Sequence, residues 1–147
     1  FAPCGSPSSF SGLTAGSHAV QVKATDRAQN TGAAATTSFT VITAAPAKAT
    51  ISKLSVTGPA KVKKGKKATY KVKVSNSGNA NATGVSLKVS GKGVSVNTSI
   101  GEVAAGKTRT VKVKLKPKKT GKVKATFKVT SSNAGSKTVK KPITVKK

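Results

Sequence analysis

Acidic residues are almost missing: Asp26 and Glu102 are the only two in 147. Carboxylate-pair catalysis would have to recruit both, and a calcium loop, which gathers several oxygen anions in one segment, finds at most one in any stretch. One histidine, His18, and one cysteine, Cys4, with no methionine or tryptophan, leave no cluster of soft or imidazole ligands for a metal. The chain is therefore read as non-enzymatic, with no catalytic, cofactor-binding or metal-binding residue and no cofactor. Long apolar runs are missing too. No segment joins a charged start, an apolar stretch and a small-residue cleavage site, so neither a signal peptide nor a transmembrane segment is expected. The first residue is Phe1, which reads as truncation, and the missing leader then says nothing in favour of the cytoplasm.

What the chain has instead is lysine. Twenty-eight Lys and Arg residues set a formal net charge of +26 at pH 7. Residues 1–50 hold only Lys23, Arg27, Lys48 and Asp26, which leaves +24 on the remainder. Between the two regions lies the Ala-rich stretch ITAAPAKATIS with Pro46, and a linker is expected at 46–50. The expected organisation is a partial domain over 1–45, that linker, and a complete domain over 51–147.

Apolar residues recur at every second position: Val20, Val22 and Ala24; Tyr70, Val72 and Val74; Val85, Leu87 and Val89; Val111, Val113 and Leu115; Val123, Ala125, Phe127 and Val129. Period two means strands with one buried face. The runs are rich in β-branched residues and close on Gly, Asn or Ser, as at NSGN (76–79) and NAGS (133–136). Strands are expected at 51–57, 68–75, 84–90, 94–98, 108–116, 122–131 and 137–145, with a short extra edge at 61–64. That count predicts an all-β fold, an immunoglobulin-like β-sandwich. Residues 1–45 offer only strands at 17–25 and 36–43, and a lone hairpin is marginal in water. They read as the C-terminal part of a domain cut at its start.

Two resemblances sharpen this. Cys4, Ser6, Pro7, Gly12, Leu13, Gly16, His18, Val22, Ala24, Asp26, Ala28, Asn30, Phe39 and Val41 agree in order and spacing with the last third of a bacterial immunoglobulin-like repeat. That segment runs Cys-x-Ser-Pro, Gly-x-His, Asp-x-Ala-Gly-Asn and a closing Phe-x-Val strand. The resemblance implies that Cys4 pairs with a cysteine earlier in the domain, and so an oxidising compartment. Gln29 stands where the repeat usually has Gly, which puts a side chain at a position suited to positive φ. Gly65, Tyr70, Asn76, Gly78, Ala82, Val85, Gly106 and Thr108 resemble the adhesion-related, CARDB-like immunoglobulin-like modules of bacterial extracellular proteins. This second resemblance covers nearly all of 51–147 and implies a secreted or cell-surface location.

Lysine also occupies the positions between the buried ones. Lys71, Lys73, Lys112, Lys114, Lys116, Lys122, Lys124 and Lys128 are expected on outward faces, the first five on one sheet and the last three on the other. They solubilise the domain and blunt its edges, or they bind a polyanion such as a wall phosphopolymer, an acidic polysaccharide or extracellular DNA without sequence specificity. Specific nucleic-acid reading is disfavoured, because Tyr70 and Phe127 point inward and Arg109 is the sole arginine of the basic half. His18 is read as a structural strand-start residue, and Asp26 with Asn30 as a turn cap. A Lys–Asn isopeptide needs a buried acid beside the pair, and Glu102 is the only acid available to 51–147. The function expected is a structural or adhesive spacer of a bacterial surface or secreted protein. The alternatives are a polyanion-binding module or an accessory domain of a secreted hydrolase, and other domains of a parent chain are expected partners.

Overall fold

The computed structural model describes residues 2–5 and 7–147; Phe1, and Ser6 of the Cys-x-Ser-Pro motif, lie outside the described residues. The described residues form ten strands in two compact units, Phe1–Pro46 and Ala47–Lys147.

In the first unit β1 (Gly16–Val22) pairs antiparallel with β2 (Ala35–Val41). Beyond the hairpin, Thr25 and Thr31 form a bridge around a tight turn. The Asp26 carboxylate accepts hydrogen bonds from the Asn30 backbone N–H (2.8 Å) and the Asn30 side-chain amide (3.0 Å). Those bonds, the side-chain one foremost, hold the Asp26 carboxyl below the usual carboxylate range. Gln29 takes the positive φ (68°) that a glycine would adopt without strain, so the turn persists with a side chain at that position. His18 stacks on Phe39 with ring centroids 5.7 Å apart and hydrogen-bonds the Thr14 carbonyl at 2.8 Å. Among the described residues of this unit, Val22, Phe39 and Ile42 remain exposed.

The second unit folds as the alternation requires. A three-stranded sheet in the order β3-β5-β8 comprises β3 (Ile51–Thr57), β5 (Ala68–Asn76) and β8 (Thr108–Leu115). A five-stranded sheet in the order β4-β10-β9-β6-β7 comprises β4 (Lys61–Lys63), β6 (Ala82–Gly91), β7 (Val94–Val103), β9 (Gly121–Thr130) and β10 (Ser136–Lys146). This is the immunoglobulin-like β-sandwich. Every pairing is antiparallel except that of β4 with β10. The inward set fills one core: Tyr70, Val72, Val74, Leu87, Val89, Leu115, Phe127 and Val129 are fully buried. At its centre the Tyr70 and Phe127 rings lie 5.9 Å apart, and the Tyr70 hydroxyl donates to the Pro59 carbonyl at 2.9 Å.

Two expectations shift. The stretch 46–50 read as linker is largely part of the second unit. Ala49 is buried, the Lys48 N–H donates to the Asn79 side chain (2.7 Å), and the Thr50 N–H donates to the Asn76 side chain (3.0 Å). The strand expected at 94–98 runs on to Val103, because Ile100 and Val103 continue the buried face past the positive-φ Gly101. Glu102 therefore sits in β7, an edge strand of its sheet.

Candidate functional site

Strand register converts the lysine alternation into a surface. On the three-stranded sheet, Thr57, Lys71 and Lys112 form one row across β3, β5 and β8; the next row pairs Thr69 with Lys114, and Ser55, Lys73 and Thr110 make a third. All four lysines are exposed, while Tyr70, Val72 and Val113 between them are buried. Lys116 follows β8 and is exposed as well. Directly opposed cross-strand residues have Cβ atoms about 4.5–5.5 Å apart, so Lys71 beside Lys112 is a like-charge contact.

On the five-stranded sheet Lys122, Lys124 and Lys128 line the outer side of β9, and Lys128 lies opposite Lys88 of β6. Lys122 pairs with Thr144, which pairs in turn with Lys61 of β4. Sequence reasoning named the β9 lysines but not Lys88, Lys61 or Lys140, which lie on exposed positions of the same sheet. Their outward positions are also readable from period two, but their adjacency depends on strand order, which no local pattern encodes. Hydroxyl pairs fill the positions between charges, such as Ser86 with Thr130 at 2.9 Å.

Among the described residues no three of His, Cys, Asp and Glu lie close enough to hold a metal. Cys4 is exposed in the first unit. Glu102 is exposed and accepts a hydrogen bond from the Asn81 amide at 2.9 Å, so the only acid of the second unit lacks the burial that an isopeptide bond needs. Asn76 was missed as anything more than a turn residue. It is buried, and its side chain accepts from the N–H groups of Thr50 and Gly78 while donating to the carbonyls of Ala80, Val103 and Ala104.

No helix is long and apolar enough to cross a membrane among the described residues. The CARDB family model matches residues 50–138, well over half of the chain. Among solved structures, the crystal structure of the CARDB domain of the PF1109 protein from Pyrococcus furiosus, a complex with di-metal ions, is 18% identical. Its TM-score is 0.53, with 67% of this chain and 93% of that chain covered. The solution structure of the same domain gives 17% identity and a TM-score of 0.54 over 67% of this chain and 94% of that one. Red sea bream transglutaminase matches at 21% identity and a TM-score of 0.55, with 78% of this chain but only 16% of that chain covered. At these identities the likenesses show fold. No curated protein matches the chain.

Proposed function

The chain belongs to the CARDB family of adhesion-related immunoglobulin-like modules, and from that premise we propose that residues 47–147 serve as a non-catalytic, in-line spacer in an extracellular, surface-attached or secreted bacterial protein. The observation that carries this reading is where the chain meets the sandwich. At one end the Ile51 N–H donates to the Ala134 carbonyl (3.0 Å), beside the turn between β9 and β10. At the other, the Lys146 carbonyl accepts from the Lys64 N–H (2.8 Å). β10 joins these ends with eleven residues, whose successive steps of roughly 3.3 Å separate the first from the last by about 33 Å. Neighbours attached before and after the module are thereby held apart by its long axis. The hairpin of the first unit, with its exposed apolar side chains, supports a second immunoglobulin-like domain as one such neighbour. In a surface-display fusion, each added copy of 47–147 is expected to raise a C-terminal reporter by about 35 Å, slightly more than the length of β10. A reporter whose height is independent of copy number would contradict the spacer.

A second reading is favoured by the cross-strand pairs Lys71–Lys112 and Lys88–Lys128. Like charges held side by side are relieved by a polyanion, and two acids in the whole chain cannot supply that relief. The outer faces then bind phosphopolymers, acidic polysaccharide or DNA by charge. Titration with duplexes of unrelated sequence is expected to give equal affinities that fall steeply and linearly on a log–log salt plot, with a slope of about −0.9 per phosphate neutralised. Preference for one duplex, or indifference to salt, would defeat it.

A further inference from the structure

On the three-stranded sheet a shallow depression is lined by Thr57, Gly58, Thr69, Lys71, Lys112 and Lys114. Thr57, Lys71 and Lys112 lie in one row across the three strands, and Thr69 pairs with Lys114 in the next. The lining thus brings three ammonium-bearing and two hydroxyl-bearing side chains, all exposed, around one spot. Gly58 is fixed by the core beneath: a Cβ there would run into Cδ1 of the buried Tyr70 ring, so a larger residue at this edge of the depression would displace Tyr70.

We propose that this depression is an oxyanion seat that takes the terminal phosphoryl group of a linear phosphate polymer, a foothold within the general charge attraction of the second reading, on which it rests. The donor set selects the chemistry. Three lysines and two threonine hydroxyls present more donors than the two oxygens of a carboxylate can accept, whereas a terminal phosphoryl group offers a third acceptor oxygen and more charge. Lysine binds phosphate as a point charge and needs no planar fork, which suits side chains reaching in from adjacent strands. β9's Lys122, Lys124 and Lys128 carry the same charge on the outer side of the other sheet.

The test compares two triple variants of the full chain that remove equal charge: Lys71→Gln, Lys112→Gln and Lys114→Gln at the seat, and Lys122→Gln, Lys124→Gln and Lys128→Gln on the other sheet. Inorganic tripolyphosphate and polyglutamate of matched charge are titrated at fixed salt, with backbone amide shifts followed by NMR and folding checked by melting. The seat predicts tripolyphosphate shifts concentrated at Thr57, Gly58 and Thr69. It also predicts at least tenfold weaker tripolyphosphate binding in the seat variant and less than threefold in the other, with no such contrast for polyglutamate. Equal losses in the two variants would overturn the seat while leaving general charge attraction standing. An equal contrast for polyglutamate would overturn the phosphoryl assignment, and no binding by the parent chain would remove both.

Discussion

Asn76 shows how one polar side chain closes a sandwich. It is 2% exposed, and its amide satisfies backbone groups on the segment leading into β3, on its own turn and on the β7–β8 connection. A buried backbone group left without a partner costs about 1–3 kcal/mol, so Asn76→Ala is expected to lower the unfolding free energy by about 3 kcal/mol, measured by denaturant titration. Asn76→Asp is expected to be no better, because its carboxylate cannot donate to the three carbonyls. Tyr70 adds a pH-dependent term. Burial pushes its phenol above the ordinary value near 10. The neutral form is thus favoured in the fold, and its contribution is complete below about pH 10 and lost as the unfolded chain ionises above it. Tyr70→Phe is expected to cost about 1 kcal/mol at neutral pH through the lost bond to Pro59. That deficit should shrink above pH 10, where lysine titration affects both proteins alike; a deficit that grows would refute the assignment. Tyr70's inward position was legible from period two alone. Asn76 was not, because NSGN is turn grammar locally and its partners at 50, 103 and 104 come from other segments.

At the scale of elements, alternation located the sheet faces of the second unit well and the ends of strands less well. β8 carries the clearest case: Lys112 and Lys114 are exposed, and Val113 between them is buried. Exchanging the outward lysines for Gln is expected to leave melting unchanged or raised, whereas Val113→Lys puts a charge into the core and is expected to unfold the domain or cost several kcal/mol. Calorimetry distinguishes these outcomes. β10 departs from the simple rule. Lys137 and Lys141 are in register with the buried Val129 and Ala125, on its core-facing side, beyond the 144–146 stretch that β4 covers. Charges at such positions keep a free edge from recruiting another strand. Lys141→Val is therefore expected to increase self-association in sedimentation velocity. The period-two pattern could not announce this, since whether a strand is an edge is decided by sheet order.

For the whole molecule, the charge sets a global term that no single lysine controls. About two dozen like charges on one small domain repel over distances comparable with the Debye length, about 10 Å at 0.1 M salt. The melting temperature of the chain is expected to climb from low to moderate ionic strength, and a flat or falling curve would contradict the outward placement of the lysines. Connectivity sets the mechanical term. β3 and β10 both run from the end where the chain enters the second unit toward the end where it leaves, and β4 lies parallel to β10. Tension applied through residues 47 and 147 therefore loads the β4–β10 bonds together in shear instead of peeling them one at a time. The most direct measurement is single-molecule force spectroscopy of 47–147 held at those two points, beside Lys64→Pro, which removes the N–H that bonds the Lys146 carbonyl. An in-line spacer predicts one-step unfolding at a force clearly above that of the variant; gradual peeling, or a force no higher than the variant's, would contradict it.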